Sequence, residues 1–113
     1  MVTKFKTVCL VSDLTERGVA IGFAIDVDRF LNGFVVKFDG QPYAFINRCP
    51  HVRTELDWVP GVVFDEQKSF LSCATHGALF DPTTGVCIRG PCINQSLVAL
   101  PVRVIGEEVC VAF

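Results

Sequence analysis

An all-β fold is what this sequence predicts, and three observations predict it. No stretch sustains the apolar periodicity of a helix. Short apolar segments rich in Val, Ile and Phe recur instead, each bounded by turn-forming residues. One of those bounds, Asp39-Gly40, is a pair suited to the tight loop of an antiparallel hairpin, because its glycine accepts positive φ.

Taken in order, Phe5 to Val11 reads as the first strand. Phe34 to Phe38 and Tyr43 to Asn47 form a hairpin around Asp39-Gly40. Val62 to Phe64 and Ser69 to Cys73 flank the polar Asp65-Glu66-Gln67-Lys68 and form a second. Phe80 and Val86-Cys87-Ile88 flank the turn sequence Asp81-Pro82-Thr83-Thr84-Gly85. Leu100 to Val104 and Val109 to Phe113 close the chain as a hairpin around Ile105-Gly106-Glu107-Glu108. The Phe-rich strands are core, and Trp58 is packing in the base of its loop. No linker, repeat or low-complexity segment interrupts the pattern.

A chain of 113 residues makes one domain, residues 1–113, with a single modest core. Half of the residues are hydrophobic and ten are Phe, so folding requires no covalent staples. A formal net charge of −2 gives no pull toward nucleic acid or an anionic membrane. Near the start the apolar run is only Val8 to Val11, too short for a leader's hydrophobic region, and no segment reaches membrane-spanning length. The chain therefore reads as soluble and cytoplasmic. In a reducing compartment, six cysteines point to metal binding before disulfides. Cys9 and Cys110 lie in apolar runs and read as small buried hydrophobes. Cys87 and Cys92 flank a tight loop. They could bridge one another or add ligands, but the plain reading is two reduced thiols.

The chemistry concentrates in two short signatures, Cys49-Pro50-His51 and Cys73-Ala74-Thr75-His76-Gly77, separated by twenty-one residues. Thiolates and imidazoles in the order Cys, His, Cys, His suit a [2Fe–2S] centre, in which one iron takes two sulfurs and the other two nitrogens. The rival is structural zinc, which also accepts two Cys and two His. Zinc fingers, however, usually pair Cys with Cys and His with His, and a one-residue Cys-His spacing is unusual there.

With Leu79-Phe80-Asp81-Pro82, Gly85, Gly90-Pro91, Leu97 and Leu100-Pro101-Val102 added to those signatures, nearly the whole chain resembles the Rieske family, specifically its small soluble ferredoxin-like members. The resemblance implies a basal antiparallel β-sandwich or barrel with an inserted cluster-binding subdomain, here about residues 47–93. It implies one [2Fe–2S] cluster, with Cys49 and Cys73 on the buried iron and His51 and His76 on the outer iron near the surface. Gly90-Pro91 would form the rigid cover over the cluster, and Gly77 would let backbone approach closely behind His76. The loop from His51 to Cys73 is longer than in most members. Membrane-bound respiratory members lock their ligand loops with a disulfide, and the matching positions here are Thr54 and Thr75. They also donate hydroxyl hydrogen bonds to the cluster from a Ser and a Tyr, where this chain has Ala78 and Phe80. Fewer donors stabilise the reduced cluster less, so a low potential is expected.

The implied function is that of a one-electron carrier without turnover chemistry of its own, passing electrons from a reductase to an oxygenase or another redox enzyme. The only two histidines are His51 and His76, which leaves none for the mononuclear iron of an oxygenase's catalytic subunit. No Gly-rich dinucleotide fingerprint follows a strand, which argues against bound flavin or nicotinamide. Two other readings stand beside this one: a small accessory [2Fe–2S] subunit of an enzyme complex, similar to that of nitrite reductases, and a zinc-stabilised interaction module. Arg48, Arg53 and Arg89 fall beside the ligand loops. They either ring a docking face for an acidic partner or are solvated charges offset by Glu55 and Asp57.

Overall fold

The computed structural model describes residues 4–50, 54–57, 59–74 and 77–113. Among these residues, ten strands and one short 3-10 helix, Val11–Asp13, make up the regular structure. In chain order the strands are β1 (Phe5–Leu10), β2 (Ile21–Asp26), β3 (Leu31–Phe38), β4 (Gln41–Ile46), β5 (Leu71–Ser72), β6 (Leu79–Phe80), β7 (Cys87–Arg89), β8 (Ala99–Leu100), β9 (Val102–Ile105) and β10 (Glu108–Ala112). They form three antiparallel sheets, in the orders β1-β10-β9, β2-β3-β4-β8 and β5-β6-β7. No helix among the described residues is long and apolar enough to cross a membrane.

The sheet β2-β3-β4-β8 lies between two cores, and the alternation of side chains along a strand explains how. Successive residues point to opposite faces. In β3, Phe34 and Val36 join one core while Val35 joins the other; in β4, Tyr43 and Phe45 face the first core and Ala44 the second. The cross-strand pairs Phe34↔Phe45 and Val35↔Ala44 keep these faces in register. The first core also takes in Cys49, Leu56, Leu71, Cys73, Ala78, Phe80 and Leu97 from the segment between β4 and β8. The second takes Val109 and Val111 of β10, with Leu14. Burying one such Phe or Val side chain is worth about 1.5–3 kcal/mol.

The hairpin at Asp39-Gly40 forms as expected. Both residues have positive φ, 51° and 80°, the pair a type I′ turn requires, and Phe38 pairs with Gln41 across it. The second hairpin is reduced to a bridge between Phe64 and Leu71, because the chain from Asp65 to Ser69 is held by the Asp65 carboxylate: its Oδ1 accepts from the Ser69 and Phe70 amides at 2.9 and 3.2 Å. The expected strand Leu100 to Val104 is split at Pro101. Leu100 ends β8, paired with β4, and Val102 begins β9, paired with β10. A proline has no N–H for the ladder, so the chain changes sheets there, while its carbonyl still accepts from the Ala112 amide at 3.0 Å. Val11 leaves β1 for the 3-10 helix. Strand β2 has no counterpart in the sequence reading; its residues alternate half-buried and exposed, and its place is set by pairing with β3.

β4 and β8 are neighbours, so the chain leaves one edge of the middle sheet at Ile46 and returns to it at Ala99. The described residues between, including β5-β6-β7, form an insertion that contributes to the first core.

Candidate metal centre

Cys49 and Cys73 both lie in the insertion, completely or almost completely buried, and belong to the same core. Each begins a loop closed by the same hydrogen bond. The Cys49 amide donates to the Thr54 carbonyl at 2.7 Å, and the Cys73 amide donates to the Ala78 carbonyl at 2.9 Å. In both cases a cysteine N–H reaches the carbonyl five residues on. The two loops are tied together where the Ala74 amide donates to the Leu56 carbonyl at 2.9 Å. The second loop is the connection of the β5–β6 hairpin, with Leu71 opposite Phe80 and Ser72 opposite Leu79. The first is not at a hairpin end: it follows β4 directly and runs on into the longer segment ending at Phe64. His51 and His76 occupy positions inside the two loops by sequence and lie outside the described residues, as do Arg53, Trp58 and Thr75.

A polar network beneath the first loop was not visible in the sequence. Asn47, largely buried, accepts from the Leu56 amide through Oδ1 at 2.8 Å and donates through Nδ2 to Asp57 Oδ1 at 2.9 Å. Asp57 Oδ2 accepts from the Gly61 amide at 2.8 Å, and the Gly61 carbonyl accepts from Ala20 at 2.8 Å. Glu55 Oε2 accepts from Asn32 Nδ2 at 2.9 Å. The long segment is thus pinned against the start of β2 and the start of β3. Glu55 and Asp57 are spent on this network and make no ion pair with Arg48 among the described residues; Arg48 and Arg89 are exposed.

Two glycines of the insertion differ in their surroundings. At Gly77 the φ of +66° favours glycine, and an added Cβ would meet no described residue within 4 Å; the expected approach behind His76 lies outside the described residues. Close approach occurs at Gly90: with φ +106°, an added Cβ would lie 2.9 Å from Ala78 Cα. The Gly90-Pro91 tip therefore sits directly on the residue that closes the second loop. The reading of Cys87 and Cys92 as two reduced thiols is corrected, since the structure joins them as a disulfide. The chain turns back at Gly90 and brings their Cα atoms to 5.9 Å, within the bridging range. Of the remaining thiols, Cys110 is buried as expected and Cys9 is half-buried; burial, then the charge of Asp13, pushes the Cys9 thiol pKa up, which keeps it unreactive.

The two described members of the expected donor set fit the cluster: Cys49 and Cys73 are gathered in one apolar core, at the bases of matched loops, and each cysteine amide is bonded to a carbonyl of its own loop. Ala78 and Phe80, both completely buried, bring no hydroxyl to that core.

The sequence pattern of the Rieske [2Fe-2S] domain matches residues 4–110. This chain belongs to the Rieske [2Fe–2S] family. Its fold is similar to that of the ferredoxin of carbazole 1,9a-dioxygenase from Nocardioides aromaticivorans IC177, with 28% identity, a TM-score of 0.77, and 96% of this chain and 97% of that one covered. It is also similar to the Sphingomonas yanoikuyae B1 ferredoxin, with 21% identity, a TM-score of 0.77, and coverage of 97% and 99%. A third similar chain comes from a complex of reduced oxygenase and oxidised ferredoxin in carbazole 1,9a-dioxygenase, with 25% identity, a TM-score of 0.74, and coverage of 96% and 92%. No curated protein sequence matches the chain. Membership of the family implies one [2Fe–2S] cluster per chain.

One more residue at this end of the molecule stands out. The ladder pairs Gly33 with Ile46, so the β2–β3 turn lies beyond the same end of the sheet from which the Cys49 loop leaves. Leu31 lines a small cavity together with Cys49 and Pro50. In that turn Phe30 has φ 55° and is 88% exposed. A bulky residue in the left-handed region without packing is uncommon, and the sequence held no signal for it.

Proposed function

We infer that this chain is a Rieske-type ferredoxin, a one-electron carrier that takes an electron from a reductase and passes it to an oxygenase or similar redox enzyme. The proposed cluster ligands are Cys49 and Cys73 on the inner iron and His51 and His76 on the outer iron, within a cluster-binding part of about residues 47–93 in a single 1–113 domain. The observation that carries this reading is the matched pair of loops, each opened by a buried cysteine whose amide is bonded to the carbonyl five residues on.

When bound, the cluster supplies a site that accepts and releases a single electron. The chain's own residues do the rest. The core around Phe80, Leu71 and Leu56 keeps water from the cysteine sulfurs. The Asn47–Asp57 network holds the first loop in place, and Gly90-Pro91 covers the second. A partner would dock over the loop end, where Phe30 and the uncompensated Arg48 are exposed, so an acidic face with an apolar recess fits it best. The reading takes the chain to act in the cytoplasm beside its redox partners, which cell fractionation tests.

Protein purified without air should contain two irons and two acid-labile sulfides per chain, with visible absorption that bleaches on one-electron reduction. Stoichiometric zinc and a colourless protein would overturn the assignment in favour of a structural metal module.

A further inference from the structure

The segment from Gly85 to Leu97 is closed at its base without any covalent bond. Val86 bridges Ser96, the Cys87 amide donates to the Gln95 carbonyl at 2.9 Å, the Gln95 amide donates to the Cys92 carbonyl at 2.9 Å, and the Leu97 amide donates to the Gly85 carbonyl at 2.8 Å. A disulfide between Cys87 and Cys92 adds little to that closure. What it does constrain is the tip, Ile88 to Pro91. The strand leading into that tip pairs with β6 through Phe80↔Cys87 and Leu79↔Arg89, and at the apex Gly90 lies on Ala78. Ala78 in turn supplies the carbonyl that holds the Cys73 amide. The covalent bond, the tip and the second ligand loop are thus one mechanical series.

We propose that the Cys87–Cys92 disulfide is a thiol-responsive clamp that holds the Gly90-Pro91 cover against the second ligand loop, so that its reduction by a dithiol opens the cover and changes the redox behaviour of the cluster. The inference rests on the ferredoxin reading. One thiolate of the dithiol attacks a cysteine Sγ, the S–S bond breaks, and a mixed disulfide forms as the other cysteine leaves as a thiolate. The second thiol of the dithiol then displaces the protein sulfur. The dithiol departs as a disulfide, and Cys87 and Cys92 have gained two electrons and two protons as thiols.

Both sulfurs belong to buried residues, while Ile88, Arg89, Gly90 and Pro91 around them are exposed. Attack therefore requires the tip to lift, which makes the exchange slow and coupled to the same motion that uncovers Ala78. Once the clamp is open, water reaches the cluster sulfurs. Water stabilises the more negative, reduced state, so the midpoint potential rises. In compartments where thiols are kept reduced, disulfides that do form are commonly transient or sensing ones.

The test uses the holoprotein under anaerobic conditions with dithiothreitol as the dithiol. Alkylation and mass measurement should show Cys87 and Cys92 protected before treatment and both modified after it. After treatment the midpoint, measured by voltammetry, should be higher, iron should be lost to a chelator several-fold faster, and amide exchange in the peptide spanning Cys73 to Ala78 should accelerate. The double variant Cys87→Ala/Cys92→Ala should share the raised midpoint and no longer respond to the dithiol. If that variant does not fold, the dithiol arm on the native protein decides. Two results overturn the proposal: both thiols already modifiable in native protein, or a fully reduced pair with unchanged midpoint and unchanged exchange. Absence of iron–sulfur absorption before any thiol treatment would mark failure of the ferredoxin reading itself, and the exchange measurement alone would then decide the clamp.

Discussion

The two faces of the middle sheet are built by different means. The face toward β1-β10-β9 is covered by strands of four to six residues, paired over nearly their whole length, and its core is Val35, Ala44, Val109, Val111 and Leu14. The face toward the ligand loops is covered by strands of two or three residues. Strands that short make few ladder bonds, so this half is held by carboxylate-capped turns, the Asn47 network, a disulfide and close glycine packing. The comparison teaches that one half is a scaffold secured by long ladders over an apolar core. The other has an apolar core of its own, with Phe45, Leu56, Leu71 and Phe80, but its loops are held by individually specified contacts, which makes it adjustable and also fragile.

The largest effect should come from the thiols. Cys49→Ser or Cys73→Ser should abolish iron binding, since a hydroxyl is a poor iron ligand at neutral pH, while Cys9→Ser and Cys110→Ser on the scaffold side should keep stoichiometric iron. Iron analysis and visible absorption check this. Loss of iron from Cys110→Ser would erase the division between the two halves.

Next comes Asn47 against Val35. Asn47→Ala leaves the Leu56 amide and an Asp57 oxygen without their partner, at about 1–3 kcal/mol per orphaned group. Val35→Ala removes methyl groups from the scaffold core, at a cost of about 2 kcal/mol. Denaturant titration should find the two variants comparably destabilised, but only Asn47→Ala should also lose iron faster to a chelator. Equal iron retention would mean that the network supports the fold and not the site.

A smaller change probes the core around the cluster. With Ala78 and Phe80 unable to donate, the midpoint should lie in the lower part of the roughly −150 to +300 mV Rieske range. Phe80→Tyr should raise it if the new hydroxyl reaches a cysteine sulfur. Voltammetry of both proteins measures this, and a native midpoint near the top of the range would show that something else tunes the cluster.

The smallest effect concerns the turn at Asp81. Hydrogen bonds from the Thr83 hydroxyl, at 2.7 Å, and the Thr83 amide, at 2.8 Å, hold the Asp81 carboxyl below its ordinary pKa of 3.8. A carboxylate whose folded pKa is depressed contributes stability above its unfolded pKa and loses it as pH falls through the folded value. Thr83→Ala should therefore lower stability slightly at neutral pH and shrink the loss between neutral and strongly acid pH. Thermal melts across that range would show it, and an unchanged pH dependence would mean the Thr83 hydroxyl contributes nothing to the insertion.

Much of the molecule was legible because the relevant rules are local. Asp39-Gly40 set its hairpin through its own φ preferences, the Phe-rich strands that hold Phe34 and Phe45 announced a core, and two Cys-His signatures pointed to a metal centre through ligand chemistry alone. Other features are decided only when distant segments meet. Strand β2 alternates Ile21, Phe23 and Ile25, but no turn pair marks its ends, and its bounds are set by the edge that β3 offers it. Pro101 divides a run that looks continuous, because its neighbours belong to different sheets. Asn47 reads as an ordinary polar residue until Leu56 and Asp57 fold over it. The bond between Cys87 and Cys92 depends on the backbone reversal at Gly90, and the need for glycine there depends on Ala78, twelve positions earlier in the chain. By itself the sequence determined the fold class and the class of chemistry, because these follow from residue identity and near-neighbour spacing. Only the tertiary structure decided which loops match, what covers them and which thiols are joined, because those depend on through-space distances between segments far apart in the chain.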